Sequence, residues 1–212
     1  MTSPDSPPRR ESVLPSGEPR PRYDLEKLLT VAVTVFSDRG YDGTSVEDLS
    51  RASGLSKSSM YHHIDSKEHL LRLSLERALE PLLAIMDEPN PPPGKALERL
   101  SDVIRRMVMI LSEQLPYVTL LLRVHGNTPT ERWALRKRRA FDAFVAYLVQ
   151  EAVNEGQLRP DLDALTTARL IFGTINSLIE WHRPGFGPSA DELAEQIVAM
   201  VFDGIRCPQP AP

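Results

Sequence analysis

Apolar residues recur along this chain at the three-and-four spacing that lines one face of an α-helix, and no stretch shows the strict alternation of a half-buried strand. Leu25, Leu28, Leu29, Ala32, Val33 and Phe36 form the first stripe, a helix running from Asp24 to Arg39-Gly40. Val46, Leu49 and Ala52 share a face in a second, shorter helix that Thr44 or Ser45 caps and Gly54 ends. Ser56 caps a third, whose Met60, Tyr61 and Ile64 supply apolar surface at or beside the core. A longer helix follows from Ser66 with Leu70, Leu71, Leu75, Ala78 and Leu79, and Pro81 predicts a kink or a stop in it. Asp87 to Gly94, rich in proline, is a break. Beyond it the pattern predicts helices over Lys95 to Leu115, Pro116 to Val124, Pro129 to a close at Glu155-Gly156, Leu162 to His182, and Asp191 to Ile205. The expectation is an all-α chain of about nine helices.

The third helix is where chemistry concentrates. A short helix held at an angle by a glycine turn, with Lys57, Ser58, Ser59, His62 and His63 facing outward and no acid between Ser56 and Ile64, suits a DNA major groove. This is the pattern of a helix-turn-helix. Lys57, Ser58, Ser59 and His63 are the candidates for base edges. Ser45 and Ser56 stand at the helix starts facing the same partner. Thr44 either meets a phosphate at the helix N-terminus or only caps the helix.

Gly40-Tyr-Asp-Gly-Thr44-Ser-Val, then Ala52-Ser-Gly-Leu-Ser56-Lys-Ser-Ser-Met-Tyr61-His-His-Ile-Asp-Ser-Lys67-Glu-His-Leu-Leu71, closely resembles the DNA-binding domain of TetR-family transcriptional regulators. The likeness spans residues 24 to 72. It implies that Tyr61 and His62 contact phosphates and that Lys67 anchors one at the start of the connecting helix. Ile64 stands where the family usually has phenylalanine, and Ser58-Ser59 replaces a pair that often includes glycine or proline; the second departure touches operator sequence, not fold. The family further implies a homodimer on a near-palindromic double-stranded DNA operator, released by a small-molecule inducer.

Charge adds a constraint. The chain has 212 residues and a formal net charge of −4, and between residues 20 and 72 the acids balance the bases. A DNA footprint must therefore come from how charges are distributed. Residues 1 to 22 hold six prolines and Arg9, Arg10, Arg20 and Arg22, a disordered arm that either touches DNA or stays solvated. Cys207 is the single cysteine, and no apolar run approaches the ~20 residues of a membrane helix. A cytoplasmic protein with no membrane association is expected. His62, His63, His69, His125 and His182 have no partners at zinc-ligand spacing, and no phosphate loop or nucleophile motif is present, so neither a catalytic nor a metal site is expected.

The domains expected are the arm at 1–22, a three-helix DNA-binding domain at 23–66, a ligand-binding and dimerisation domain at 67–206 with a connecting helix at 67–86, and a disordered tail at 207–212. In the C-terminal part, Met107, Trp133, Phe141, Phe144, Tyr147, Phe172, Asn176 and Trp181 are candidates to line a ligand pocket. The last two helices are apolar over more than one face. Ile171, Ile175, Leu178, Ile197, Val201 and Ile205 are therefore candidates for a four-helix interface with a second copy. Asn176-Ser-Leu-Ile-Glu-Trp181-His-Arg-Pro-Gly185, followed by Asp191-Glu-Leu-Ala, resembles a TetR subgroup that controls lipid degradation and responds to acyl-CoA thioesters. That likeness implies an acyl pocket, with Arg105, Arg106, Arg123 or Arg183 meeting CoA phosphates. No cofactor is expected apart from this inducer. The rival readings are a constitutive architectural DNA binder, which a fully packed C-terminal core would favour, and a helical enzyme.

Overall fold

The computed structural model describes residues 21–88 and 94–205. Ten helical segments follow one another there: α1 Pro21–Arg39, α2 Val46–Ser53, α3 Lys57–Tyr61, α4 Lys67–Met86, α5 Ala96–Glu113, α6 Leu115–Arg123, α7 Pro129–Asn154, α8 Ala164–Asn176, α9 Leu178–Trp181 and α10 Ala190–Ile205. Because α9 is a single turn continuing α8 past Ser177, the pair reads as one interrupted helix, nine in all. Among the described residues there is no strand, only an isolated bridge between Arg183 and Phe186. The all-α architecture is the one the periodicity predicts.

Local chemistry sets most helix starts. Ser45, Ser56, Ser66, Thr128 and Asp163 each accept a hydrogen bond from a backbone N–H three residues on, meeting one of the donors a first turn leaves orphaned. Two boundaries differ from expectation, while α4 keeps the expected 67–86. α1 begins at Pro21, so the limit drawn at residue 22 falls inside the helix; proline lacks an N–H and is tolerated in a first turn. Residues 1–20, with Arg9, Arg10 and Arg20, and the tail at 207–212 lie outside the described residues. α4 runs through Pro81 to Met86, because Leu79 and Ile85 are buried on either side of the proline and packing outweighs one missing hydrogen bond. The predicted helix from Leu162 to His182 is interrupted at Ser177.

α1, α2 and α3 close over Leu28, Leu29, Val33, Phe36, Leu49, Met60 and Ile64, and Leu70, Leu71 and Leu75 of α4 complete that core. In α2 the buried stripe passes through Ser53, not Ala52, which is exposed. Ser53 tolerates burial because its hydroxyl donates to the Ser50 carbonyl and accepts from the Leu55 N–H, each at 3.3 Å. The larger C-terminal part packs α7 against α4, α5 and α8, with α10 laid along α5. Leu100, Ile104, Val108, Val145, Val149, Ile171 and Phe202 fill its centre. α4 and α6 both touch α1, so they join the two parts.

Candidate DNA-reading surface and internal cavity

The turn between α2 and α3 is built by backbone conformation and capping. Gly54 takes φ 69°, left-handed, and its N–H donates to the Ser50 carbonyl at 3.0 Å. Only glycine adopts that conformation at no steric cost. Of the two possible caps of α2, Ser45 is the one used. Its hydroxyl accepts from the Asp48 N–H at 3.1 Å, while its own N–H donates to the Asp48 carboxylate at 3.0 Å. Hydrogen bonds donated to the Asp48 carboxylate, first by the Ser45 hydroxyl at 2.5 Å and then by the Ser45 N–H, hold that carboxyl below the usual range. Thr44 is buried, and its hydroxyl donates to the Gly40 carbonyl at 2.8 Å. Its expected place at a phosphate is therefore corrected: the hydroxyl points inward and fastens the loop.

On α3, Ser56, Lys57, Ser58 and His62 are exposed, and Ser59 and His63 are half-buried. Met60 and Ile64, four residues apart, point into the core. Tyr61 falls to the outside, 52% exposed, which corrects its placement beside the core and leaves its ring beside His62 on the outward surface. Lys57 pairs with Glu47 of α2. Lys67 differs from expectation more sharply. Its ammonium donates to the carbonyls of Tyr41 at 2.9 Å and Thr44 at 2.8 Å, and sits 4.0 Å from the centre of the Tyr41 ring. Two of its three donors thus staple the α1–α2 loop to α4, leaving one for any phosphate.

A set of polar contacts ties this reading part to the rest. The Glu68 carboxylate accepts from the Thr130 N–H at the start of α7, at 3.1 Å. The Arg72 guanidinium lies 3.3 Å from the centre of the Trp133 ring. Arg123, the last residue of α6, donates to the Ser37 carbonyl at 3.0 Å, and the Asn127 amide donates to Asp42 at 3.3 Å. The buried Glu131 carboxylate gathers the N–H groups of Gly126, Asn127 and Thr128 and holds the α6–α7 loop closed on itself. A crevice of about 310 Å³ runs between that loop and the α1–α2 loop.

A second cavity, lined by α4, α5, α6, α7 and α8 and open on one side, has a volume of about 270 Å³. Met107, Phe141, Phe172 and Asn176 line it as expected, and Phe141 meets Phe172 edge-on with centroids 6.0 Å apart. The other four candidates do not. Trp133 is at the joint under Arg72, Phe144 and Tyr147 border a separate groove of about 110 Å³, and Trp181 lies on an outer face. Aromatic type alone carries no information about which side of a helix faces a void.

Three charged residues at the cavity were missed by sequence reasoning: Arg138, Asp142 and Arg169. A signal for two existed, since Arg138 and Asp142 fall on the same α7 face as Phe141, Val145 and Leu148, where a charge is out of place. Burial pulls the Arg138 pKa down, against the Asp142 charge. Burial likewise pushes Asp142 up, against Arg138 and Arg169. One Arg138 nitrogen donates to the Leu121 carbonyl of α6 at 3.2 Å. The arginines offered earlier for phosphates are engaged outside the cavity: Arg105 with Glu195, Arg106 with Glu88 and Asp102, Arg123 with Ser37, and Arg183 with the His182 carbonyl.

The candidate dimer residues also need correcting. Ile171, Ile175, Leu178 and Ile197 are buried within this subunit, Val201 is half-buried, and the side chain of Ile205 is outside those described. The large apolar residues exposed on the same two helices are Leu165 at 42%, Leu170 at 68% and Met200 at 62%, with Trp181 and Phe186 beyond them. The surplus apolar face exists, but in another phase, because two stripes on one helix do not reveal which of them the subunit itself covers. Among the described residues no group of His, Cys, Asp or Glu is arranged to hold a metal, and no helix is long and apolar enough to cross a membrane.

Comparison with known proteins places this geometry. The family model for bacterial regulatory proteins of the tetR family matches residues 28–73, and that for the tetracyclin repressor-like C-terminal domain matches residues 93–205, more than half of the chain. SCO3833, a TetR regulator of Streptomyces coelicolor A3, is 54% identical, with a TM-score of 0.78 over 85% of this chain and 91% of its own. The transcriptional repressor KstR2 of Mycolicibacterium smegmatis is 27% identical over 198 residues, covering 90% of this chain and 95% of that protein. AibR, crystallised with isovaleryl coenzyme A and operator DNA, shares the fold with a TM-score of 0.69 at 23% identity, over 84% of this chain and 98% of its own. A capped helix-turn-helix joined by one long helix to a hollow helical domain, in a chain that both models match, has one consistent reading: this protein belongs to the TetR family of bacterial transcriptional regulators.

Proposed function

We propose that this repressor works as a homodimer on a near-palindromic operator and is released by an amphipathic acyl thioester, of the acyl-CoA class, that enters the cavity. Residues 23–66 read the DNA and residues 67–206 bind ligand and partner, with 67–86 connecting them, in the cytoplasm. The single observation that carries the ligand reading is the cavity itself, apolar along Leu79, Leu83, Met107, Phe141 and Phe172, and charged at Arg138, Asp142 and Arg169. A fully packed core, which a purely architectural DNA binder would show, is absent there. Apolar walls suit an acyl chain, and Arg138, Arg169 and Asn176 suit its carbonyl and the anionic remainder. A volume of about 270 Å³ accommodates the acyl portion only, leaving the bulk of a CoA group outside. AibR, a fold neighbour, was crystallised in complex with isovaleryl coenzyme A, which agrees with this class.

Two copies meeting through Leu170, Met200 and Trp181 would have to present their α3 helices at the repeat of the major groove, about 34–36 Å for one turn of DNA. Ser58, Ser59 and His63 then face bases, with Tyr61 and His62 at phosphates. Ligand binding favours a conformation in which that separation no longer fits, with a coupling of about 1–3 kcal/mol. The test is binding of the purified protein to DNA from upstream of its own gene at fixed salt, with saturated acyl-CoA thioesters of increasing length, free CoA and free fatty acids. Release by one chain-length class of thioester, and by neither free component, is expected. Tight binding indifferent to all of them overturns the thioester reading.

A further inference from the structure

Besides the continuous helix α4, a chain of contacts that starts at a cavity residue runs between the cavity and the reading part. α6 lines the cavity with Val118, Leu121 and Leu122, and two residues after Leu121 its final residue, Arg123, grips the Ser37 carbonyl of α1 at 3.0 Å. Arg138 of α7 lines the same cavity and donates to the Leu121 carbonyl at 3.2 Å. Its guanidinium therefore faces the space a ligand would occupy on one side and the backbone of α6 on the other. Asp142, its acidic neighbour one turn along α7, is itself half-buried and faces Arg169 as well. The guanidinium is rigid and planar, so a bidentate contact to a ligand carbonyl or anion re-aims the whole fork and with it the donor now directed at α6. At the far end, the α1–α2 loop that Arg123 borders is the one Lys67 staples and Thr44 fastens, directly ahead of the helix-turn-helix.

We propose that Arg138 is the positioning residue that couples cavity occupancy to DNA affinity. In the empty protein it holds α6 through the Leu121 carbonyl, and α6 holds the end of α1 through Arg123. A ligand that engages the guanidinium loosens that hold, so α1 and the loop after it relax. The mechanism rests on the ligand-released reading above, but its first test needs no ligand.

The variants are Arg138→Gln, Arg138→Lys, Arg123→Ala and the double variant R123A/R138Q, with Arg139→Gln as control, since Arg139 is an exposed neighbour on α7. Operator affinity and amide hydrogen exchange at residues 37–44 are measured on full-length protein without ligand. Arg138→Gln is expected to weaken operator binding within the range of about 5–150-fold typical of such couplings, and to speed exchange at 37–44. Arg123→Ala, on the surface and outside the cavity, should do the same without disturbing the fold, and the double variant should be no worse than the stronger single. Arg138→Lys, which keeps a donor but loses the fork, should fall between Gln and wild type. Arg139→Gln should match wild type. Wild-type operator affinity and exchange in both Arg138→Gln and Arg123→Ala overturn the proposal, as do additive losses in the double variant. Titration with the acyl-CoA panel then separates the two readings. If no thioester moves the wild type, the ligand class falls while the ligand-free result still decides Arg138. If a thioester releases wild type and Arg138→Gln by equal factors, the coupling role is overturned.

Discussion

The reading part and the cavity-bearing part treat their polar groups in opposite ways. In α1 to α3 the hydroxyls of Thr44, Ser45, Ser53 and Ser56 and the ammonium of Lys67 all bond to nearby backbone, and Phe36, Leu49 and Met60 fill the space beneath. In α4 to α8, by contrast, Arg138 and Asp142 are half-buried beside about 270 Å³ of open volume. A surface that must match DNA geometry gains from having one conformation. A domain that must respond to a small molecule needs space and groups whose partners can change. The same sequence supplies both, tying the polar groups of the helix-turn-helix to backbone and leaving Arg138 and Asp142 beside a pocket.

The largest effect that would break this contrast is in the reading core. Phe36→Ala should cost about 3–5 kcal/mol by urea or thermal unfolding, since a fully buried ring leaves an unfilled hole. A cost under about 1 kcal/mol would mean that this core collapses freely and is not the rigid half. Overfilling comes next. Ala32→Leu, at a fully buried site of α1, should destabilise by about 1–3 kcal/mol, whereas Val118→Phe, beside the cavity, should stay below about 1.5 kcal/mol and abolish ligand release. Equal unfolding costs for the two would remove the distinction. Gly54→Ala forces an alanine into φ 69° and should cost about 1–2 kcal/mol while weakening operator binding. Unchanged stability there would show that the turn relaxes without penalty.

The smallest effect is one of sign. Asp48, with its pKa lowered by Ser45, contributes stability that is present above its unfolded-state pKa and is lost as pH falls through the folded one. Asp142, with its pKa raised by burial, behaves oppositely: its contribution is full below the unfolded pKa and is lost as pH rises through the folded one. Unfolding measured from acid to neutral pH should therefore show Ser45→Ala losing part of wild type's gain with pH just below the usual carboxylate range. Asp142→Asn should show a steeper gain than wild type just above that range. The same direction in both variants would contradict the opposed environments.

How much of this was readable beforehand depends on the distance over which each feature is set. The helix-turn-helix was legible because Ser45, Gly54 and Ser56 act on groups within four residues, and Met60 and Ile64 follow a fixed period. The hold of Lys67 on the α1–α2 loop was not foreseen because its partners, Tyr41 and Thr44, lie 26 and 23 residues away. Half of the eight candidate pocket residues line the cavity, and the charged residues there were overlooked although Arg138 and Asp142 interrupt an apolar stripe. Four of the residues expected at a dimer interface are buried within the subunit, since α8 and α10 carry apolar side chains on two faces and the courses of α7 and α5 decide which face is covered.

The amino-acid sequence by itself determined the helices, their caps, the glycine turn and the family, because hydrogen-bond capping and 3.6-residue periodicity act between near neighbours along the chain. Only the tertiary structure decided that α4 continues through Pro81, where the void lies, and that Arg123 reaches Ser37 across 86 residues. Those outcomes depend on which faces meet when helices far apart in the chain pack together, and the free energy of that packing outweighs any single local preference.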